Sequence, residues 1–258
     1  MKNKLFKVLP LLIIGIMWEF TALEFPKIKF LFASPSSILK VFYENIINGN
    51  YFLHFCVTAS EALVGLIIGF LFGSLIGFAM LYFTKFTNIS KMYFLALSSI
   101  PVFAIAPMMI IWFGIGFSMK VAVVVFSTLF TSIFQAYEGG IKITKEDELI
   151  FINNKASYQA KFWKLIFPYS LNWLIQSLKI NCGLAILGAF IGEFISSENG
   201  LGYLILRYSG LYDIPSVLAT IICIILLSFL FNFGVSIIEK RRLKIIRYLT
   251  VPKLVRSF

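Results

Sequence analysis

Charge, histidine and cysteine are all scarce in this sequence. Of its 258 residues only 14% are Asp, Glu, Lys or Arg, and it holds three cysteines and one histidine. A soluble domain carries about 25% charged residues to cover its surface, so an ordinary water-soluble fold is excluded. Cys56, Cys182 and Cys223 stand far apart in apolar runs. They form no CxxC pair and no ligand cluster, and read as small buried hydrophobes. His54 has neither a nearby cysteine nor a second histidine to share a metal. The patterns GxxxxGK[ST], GxSxG and HExxH are absent, which removes a phosphate-binding loop, a nucleophile elbow and a zinc-hydrolase helix. No catalytic residue, metal or cofactor is expected. Internal repeats, low-complexity tails and a second soluble domain are lacking too.

What the sequence has instead is hydrophobicity, at 59% of residues. A membrane-crossing helix needs about 20 predominantly apolar residues. Six such stretches are expected, at residues 5–23, 55–83, 93–113, 121–137, 169–191 and 217–238, giving an all-α integral membrane protein. None shows the strict alternation of a barrel strand. The first stretch follows Lys2, Lys4 and Lys7 as a signal peptide would. It carries Trp18 and Glu19, however, and no small-residue cleavage site follows, so a retained helix is expected.

The net charge of +11 would suggest nucleic acid in a soluble protein. Counted by segment it describes topology instead. With the N-terminus in the cytoplasm, 17 of the 23 basic residues fall inside and 5 outside (Lys27, Lys29, Lys40, Lys120 and Arg207), while Lys179 lies within a span. Basic residues accumulate on the cytoplasmic side, so both termini are expected there and no nucleic-acid partner is. The expected divisions are a first helix (1–25), an extracytoplasmic segment (26–54), a core (55–240) and a basic cytoplasmic tail (241–258). The longest inside loop runs over 138–168.

Three features bear on mechanism. Gly65, Gly69, Gly73 and Gly77 fall four apart, on one helix face, so another helix can approach closely there. Pro101 and Pro107 interrupt the third span, as in broken helices that border protein or a water-filled cavity. Glu19, Glu61, Lys179 and Glu193 lie within spans or at their edges. Each is either paired between helices or, for the pathway candidates Glu61, Lys179 and Glu193, placed along a route for solute.

The inside loop ends Lys155-Ala156-Ser157-Tyr158-Gln159-Ala160-Lys161-Phe162-Trp163-Lys164-Leu165-Ile166-Phe167-Pro168. It resembles the EAA loop of ABC importer permeases: EAA, three residues, Gly, nine residues, I-x-L-P. Pro168 fixes the register. Leu165 and Phe167 then take the I and L positions, the family's glycine falls at Lys155, and its glutamate at Leu149 beside Glu148. Pro101 to Gly116, ending Trp112-Phe113-Gly114-Ile115-Gly116, is similar to the "PP…LP…WFGxG" stretch of the nitrate/sulfonate/taurine-type permeases. So are Ala33 to Ser36, Thr58 to Gly65, and Gly188 to Leu204 with Gly192-Glu193-Phe194 and Gly200-Leu201-Gly202-Tyr203. The resemblance covers about residues 10–245.

The resemblance implies a type I ABC importer permease fold in a cell (inner or plasma) membrane. It implies a permease homodimer, a cytoplasmic ABC ATPase subunit on the EAA loop, and an extracytoplasmic substrate-binding protein that delivers a small solute. Glu148, Leu149, Lys155, Ala156, Ser157, Phe162 and Pro168 would form the ATPase-coupling loop. Its aromatics would anchor at the lipid surface, while Ala156 and Ser157 leave room for a partner groove. The ATPase activity would lie on the partner. Sister branches carry thiamine-precursor pyrimidines, riboflavin-like heterocycles or sulfonate- and nitrate-type solutes. Two outer carboxylates, Glu61 and Glu193, would repel the anions and suit a neutral or cationic solute. The alternative is an ion-coupled secondary transporter, which would need intramembrane acids placed for ions and has no inverted repeat here to support it.

Overall fold

The computed structural model describes residues 2–25, 30–196 and 198–249, and their side chains except at 2–8, 11, 84, 86 and 242–249. Residues 26–29, within the expected extracytoplasmic segment, and 250–258, within the expected basic tail, lie outside the described residues. The helices in chain order are α1 (Lys2–Glu24), α2 (Pro35–Ile47), α3 (Asn50–Tyr82), α4 (Thr84–Ser98), α5 (Val102–Phe113), α6 (Phe117–Ile141), α7 (Lys145–Asn153), α8 (Tyr158–Lys161), α9 (Phe167–Ile195), α10 (Leu201–Gly210) and α11 (Ile214–Leu249). A π-helical turn, Phe162–Ile166, joins α8 to α9. No strand occurs among the described residues.

Four of these segments are long and apolar enough to cross a membrane, or five if α4 and α5 count as one. They take up the expected second, fourth, fifth and sixth spans, and α1 covers the expected first. The third expected span differs. It is two helices bent by 98°. Pro101 supplies no N–H and holds the residue before it out of helical dihedrals, so α4 ends at Ser98 and α5 restarts after Pro101 with its backbone extended (ψ 126°).

The centre is a three-helix block. α3 and α6 run parallel, and the glycine ladder is the seam. Gly65 faces Val124, Gly69 faces Thr128, Gly73 faces Ser132 and Gly77 faces Ala136. A Cβ at Gly73 would stand 2.5 Å from the Leu129 carbonyl oxygen and 2.6 Å from Ser132 Cβ, so the two backbones touch. α9 returns antiparallel. Gly188 meets Val124 and Ser127, and Gly192 meets Lys120; at the opposite end Gly139 of α6 meets Ser170. Small residues permit this approach where lipid provides no hydrophobic drive between helices. Asn181 donates to Ser132 Oγ at 2.7 Å and to Ser177 Oγ at 3.2 Å, pinning α9 to α6.

α11 packs outside this block through Ala219, Cys223, Leu227 and Val235, and turns Phe229 and Phe233 outward. Glu19 is explained locally. Its carboxylate accepts from Ser36 N–H (2.9 Å) and Ser36 Oγ (2.7 Å), and so satisfies the first turn of α2. Ser34 caps the same turn with Pro35 following, while Trp18 donates to the Ala33 carbonyl at 3.1 Å.

Candidate functional site

The loop between α6 and α9 is built from caps. Thr144 accepts from Asp147 N–H at the start of α7, whose first turn holds Glu146, Asp147 and Glu148, acids placed on the positive end of the helix. The end of α7 closes with two crossed bonds: Ala156 N–H reaches the Phe151 carbonyl (3.0 Å) and Lys155 N–H the Ile152 carbonyl (3.0 Å). This is a Schellman motif, which places its C′ residue in the left-handed region and favours glycine. Here C′ is Lys155, at φ 49°. The family's glycine position is therefore the one position in the loop where a side chain is strained. Lys155→Gly is expected to stabilise the protein by about 1 kcal/mol, read as a rise in thermal midpoint in detergent; a fall would refute the reading.

Ser157 then caps α8 through Ala160 N–H (3.2 Å). Glu148 pairs with Lys161 at 2.7 Å across the loop. Tyr169 donates to Asp147, and with Thr144 holds the Asp147 carboxyl below the ordinary aspartate range. No residue of α7 is buried, so these polar ties, not packing, fix its position. Leu149 projects outward, as do Tyr158 and Trp163. Phe162 turns inward. Its ring meets Phe78 edge-on at 5.3 Å and lies near Tyr82, Trp163 and Phe167, which joins the loop to the end of α3. Pro168 follows directly on the π-helical turn, within a helix that runs on unbroken from α8 to α9.

At the opposite end of the block, Glu61 and Glu193 come together with residues the sequence did not single out. Glu61 is 1% exposed and pairs with Lys120 of α6, itself buried. Glu193 is fully buried. Its carboxylate accepts from Thr58 Oγ1 (2.6 Å) and from Gly202 N–H (2.7 Å). Thr58 accepts from Leu201 N–H (2.8 Å), and His54 Nδ1 accepts from Gly200 N–H (2.9 Å). Three successive N–H groups at the start of α10, orphans in any helix, are thus each taken by a side chain of α3 or α9. A Cβ at Gly200 would strike the Glu193 carboxylate. The polar cluster is a lock that binds α10 to the central block. Lys120, counted by sequence among outside residues, is an interior partner. Its signal would have been Glu61 itself, which in an apolar helix calls for a cation. Lys179 is half-buried and pairs with Glu239 of α11 at 2.8 Å. Each of the three pathway candidates is engaged by partners within the chain.

Where the end of α5 meets the first half of α6 lies an open cavity of about 600 Å³. Trp112, Phe113, Phe117 and Phe126 ring it, with Met109 and Ser118. Among the described residues no charged side chain lines it.

Comparison with known proteins agrees with this architecture. Residues 65–244 match the family described as binding-protein-dependent transport system inner membrane component. The chain is 29% identical to the formylaminopyrimidine transport permease protein ThiX of Halalkalibacterium halodurans over 229 residues, covering 89% of this chain and 90% of that one. It is 30% identical to a probable ABC transporter permease protein of Haemophilus influenzae, covering 92% and 96%. Among solved structures, a chain of the inward-facing MetNI methionine ABC transporter superposes with a TM-score of 0.65 at 16% identity, covering 77% of this chain and 95% of that one. With a type I importer fold, a small-residue core and a family match over most of its length, the chain belongs to the binding-protein-dependent transport system inner membrane components, the permease subunits of ABC importers.

Proposed function

We propose that two copies of this chain form the membrane pathway for a neutral, planar heterocycle of the pyrimidine class. A separate cytoplasmic ATPase docks on the 138–168 loop, an extracytoplasmic binding protein delivers the solute, and both termini are cytoplasmic. The aromatic cavity beside α5 carries the substrate reading. Flat faces of Trp112, Phe113, Phe117 and Phe126 suit stacking on an aromatic ring, and a site without a cation is a poor host for a sulfonate. The ammonium groups of Lys120 and Lys179 are held by Glu61 and Glu239, which supports the same choice. The paired state of Glu61 also removes the reason to expect a cationic solute. The similarity to a formylaminopyrimidine permease points the same way. The exposed Leu149 beside Glu148 gives the ATPase an apolar contact where the family pattern has glutamate.

The test is uptake into proteoliposomes holding the permease with its ATPase and binding protein. ATP-dependent uptake of a labelled formylaminopyrimidine, with no uptake of an alkanesulfonate, is expected. The reverse pattern would overturn the substrate class. Failure of any ATPase to co-purify would overturn the division of labour.

A further inference from the structure

We propose that the turn Leu211–Tyr212, between α10 and α11, is a docking point for the extracytoplasmic binding protein, with the Tyr212 ring as its anchor. The proposal rests on the functional reading above, which supplies the partner and puts this end of the block outside.

The turn is a second Schellman motif. Asp213 N–H donates to the Tyr208 carbonyl (3.0 Å) and Tyr212 N–H to the Ser209 carbonyl (3.1 Å). Tyr212 occupies C′, the glycine position, at φ 57°. A bulky residue there is strained. Among the described residues nothing offsets this, because Tyr212 is 74% exposed and its neighbour Leu211 is 66% exposed. A ring that only sought the membrane interface could stand at Ser209 or Gly210, within ordinary helical backbone. A ring at C′ is aimed by the turn, so its direction matters. Strain kept at an exposed position points to use by something outside the chain.

The mounting is rigid on both sides. Asp213 caps α11, accepting from Ser216 N–H (3.2 Å) and Ser216 Oγ (2.6 Å). α10 is held at its start by the Glu193, Thr58 and His54 lock. A tyrosine whose backbone is held in this way has little main-chain entropy left to lose on binding, and tyrosine is enriched among residues that dominate interfaces. The same helix connects the turn to Glu193 and, through it, to the outer ends of α3 and α9. Docking force at Tyr212 therefore bears directly on the central block.

Tyr212→Gly separates the two roles of the residue, since it relieves the backbone and deletes the ring. In proteoliposomes holding permease, ATPase and the purified binding protein of the same system, two changes are expected. The thermal midpoint of the variant rises. The binding-protein concentration for half-maximal ATP hydrolysis rises about tenfold, while hydrolysis without binding protein is unchanged. Tyr212→Phe keeps the wild-type concentration dependence, and Leu211→Ser weakens it in the same direction as Tyr212→Gly. An unchanged concentration dependence in Tyr212→Gly would overturn the proposal. So would an effect that follows lipid composition rather than binding-protein concentration, which would make Tyr212 a membrane-belt residue. A wild-type complex that no binding protein stimulates would overturn the functional reading as well, and that result is distinguishable because it appears before any substitution.

Discussion

Gly73→Leu is expected to leave little or no folded permease in detergent. The seam between α3 and α6 has no space for it: even a Cβ at this position would lie 2.5 Å from a backbone oxygen of α6. A flexible neighbour could yield, but a helix backbone can only move away whole, and that would part Gly69 and Gly77 from their partners too. Added methylenes in a packed interior cost about 1–3 kcal/mol, and a branched side chain against backbone lies at or beyond the top of that range. Fluorescence-detected size-exclusion chromatography reads the outcome as loss of the monodisperse peak. Gly183→Ala is the matched control. Gly183 lies on α9 with nothing within 4 Å of an added Cβ, so this change should be neutral or slightly stabilising. A well-folded Gly73→Leu protein would mean that the parallel seam is wrong.

Lys120→Met should be nearly as damaging, for an electrostatic reason. Lys120 is the ammonium partner of Glu61, and both are buried. Removing one partner of such a pair leaves an uncompensated interior charge, at a cost of about 3–5 kcal/mol. The companion change Glu61→Gln in the same chain removes that charge and should recover about half or more of the loss. Thermal unfolding of the two single variants and the double variant measures the coupling. Independent, additive effects would show that the pair does not act as a unit.

These two sites also show what could be read before folding. The glycine ladder was legible because four-residue spacing places Gly65 to Gly77 on one ridge whatever the partner helix is. The partner was not legible, since parallel packing on α6 joins residues about 59 apart with no local signal. Glu61 and Glu193 could be picked out as costly charges in apolar helices. Their neighbours could not, because Lys120 reaches Glu61 only across the α3–α6 seam, and the N–H groups that Thr58 and His54 take belong to α10, which folds back on the block. Pro101 announced a broken span but not its angle, which depends on how Ser99 and Ile100 leave the helix. In the coupling loop the pattern placed a family glycine at Lys155, and the geometry supplies its cause: the crossed bonds that end α7 require a left-handed residue. The same motif at Tyr212 carried no sequence pattern that would reveal it.

The glycine seam has one more consequence, for how such a molecule can change shape. Because its contacts are glycine against small residue at every fourth position, a displacement of a fraction of a turn drives backbone into side chain. Neighbouring positions of matched fit are one rung apart, about 6 Å along the axis at 1.5 Å per residue. α3 and α6 are meshed like a rack and its pinion locked in one tooth, and are expected to travel as a single rod through a transport cycle. Compliance is expected at the elbow between α4 and α5, where the helix ladder is interrupted. Spin labels on the lipid-facing sides of α3 and α6 should report one unchanging separation with and without ATP. A label pair spanning the elbow should report two.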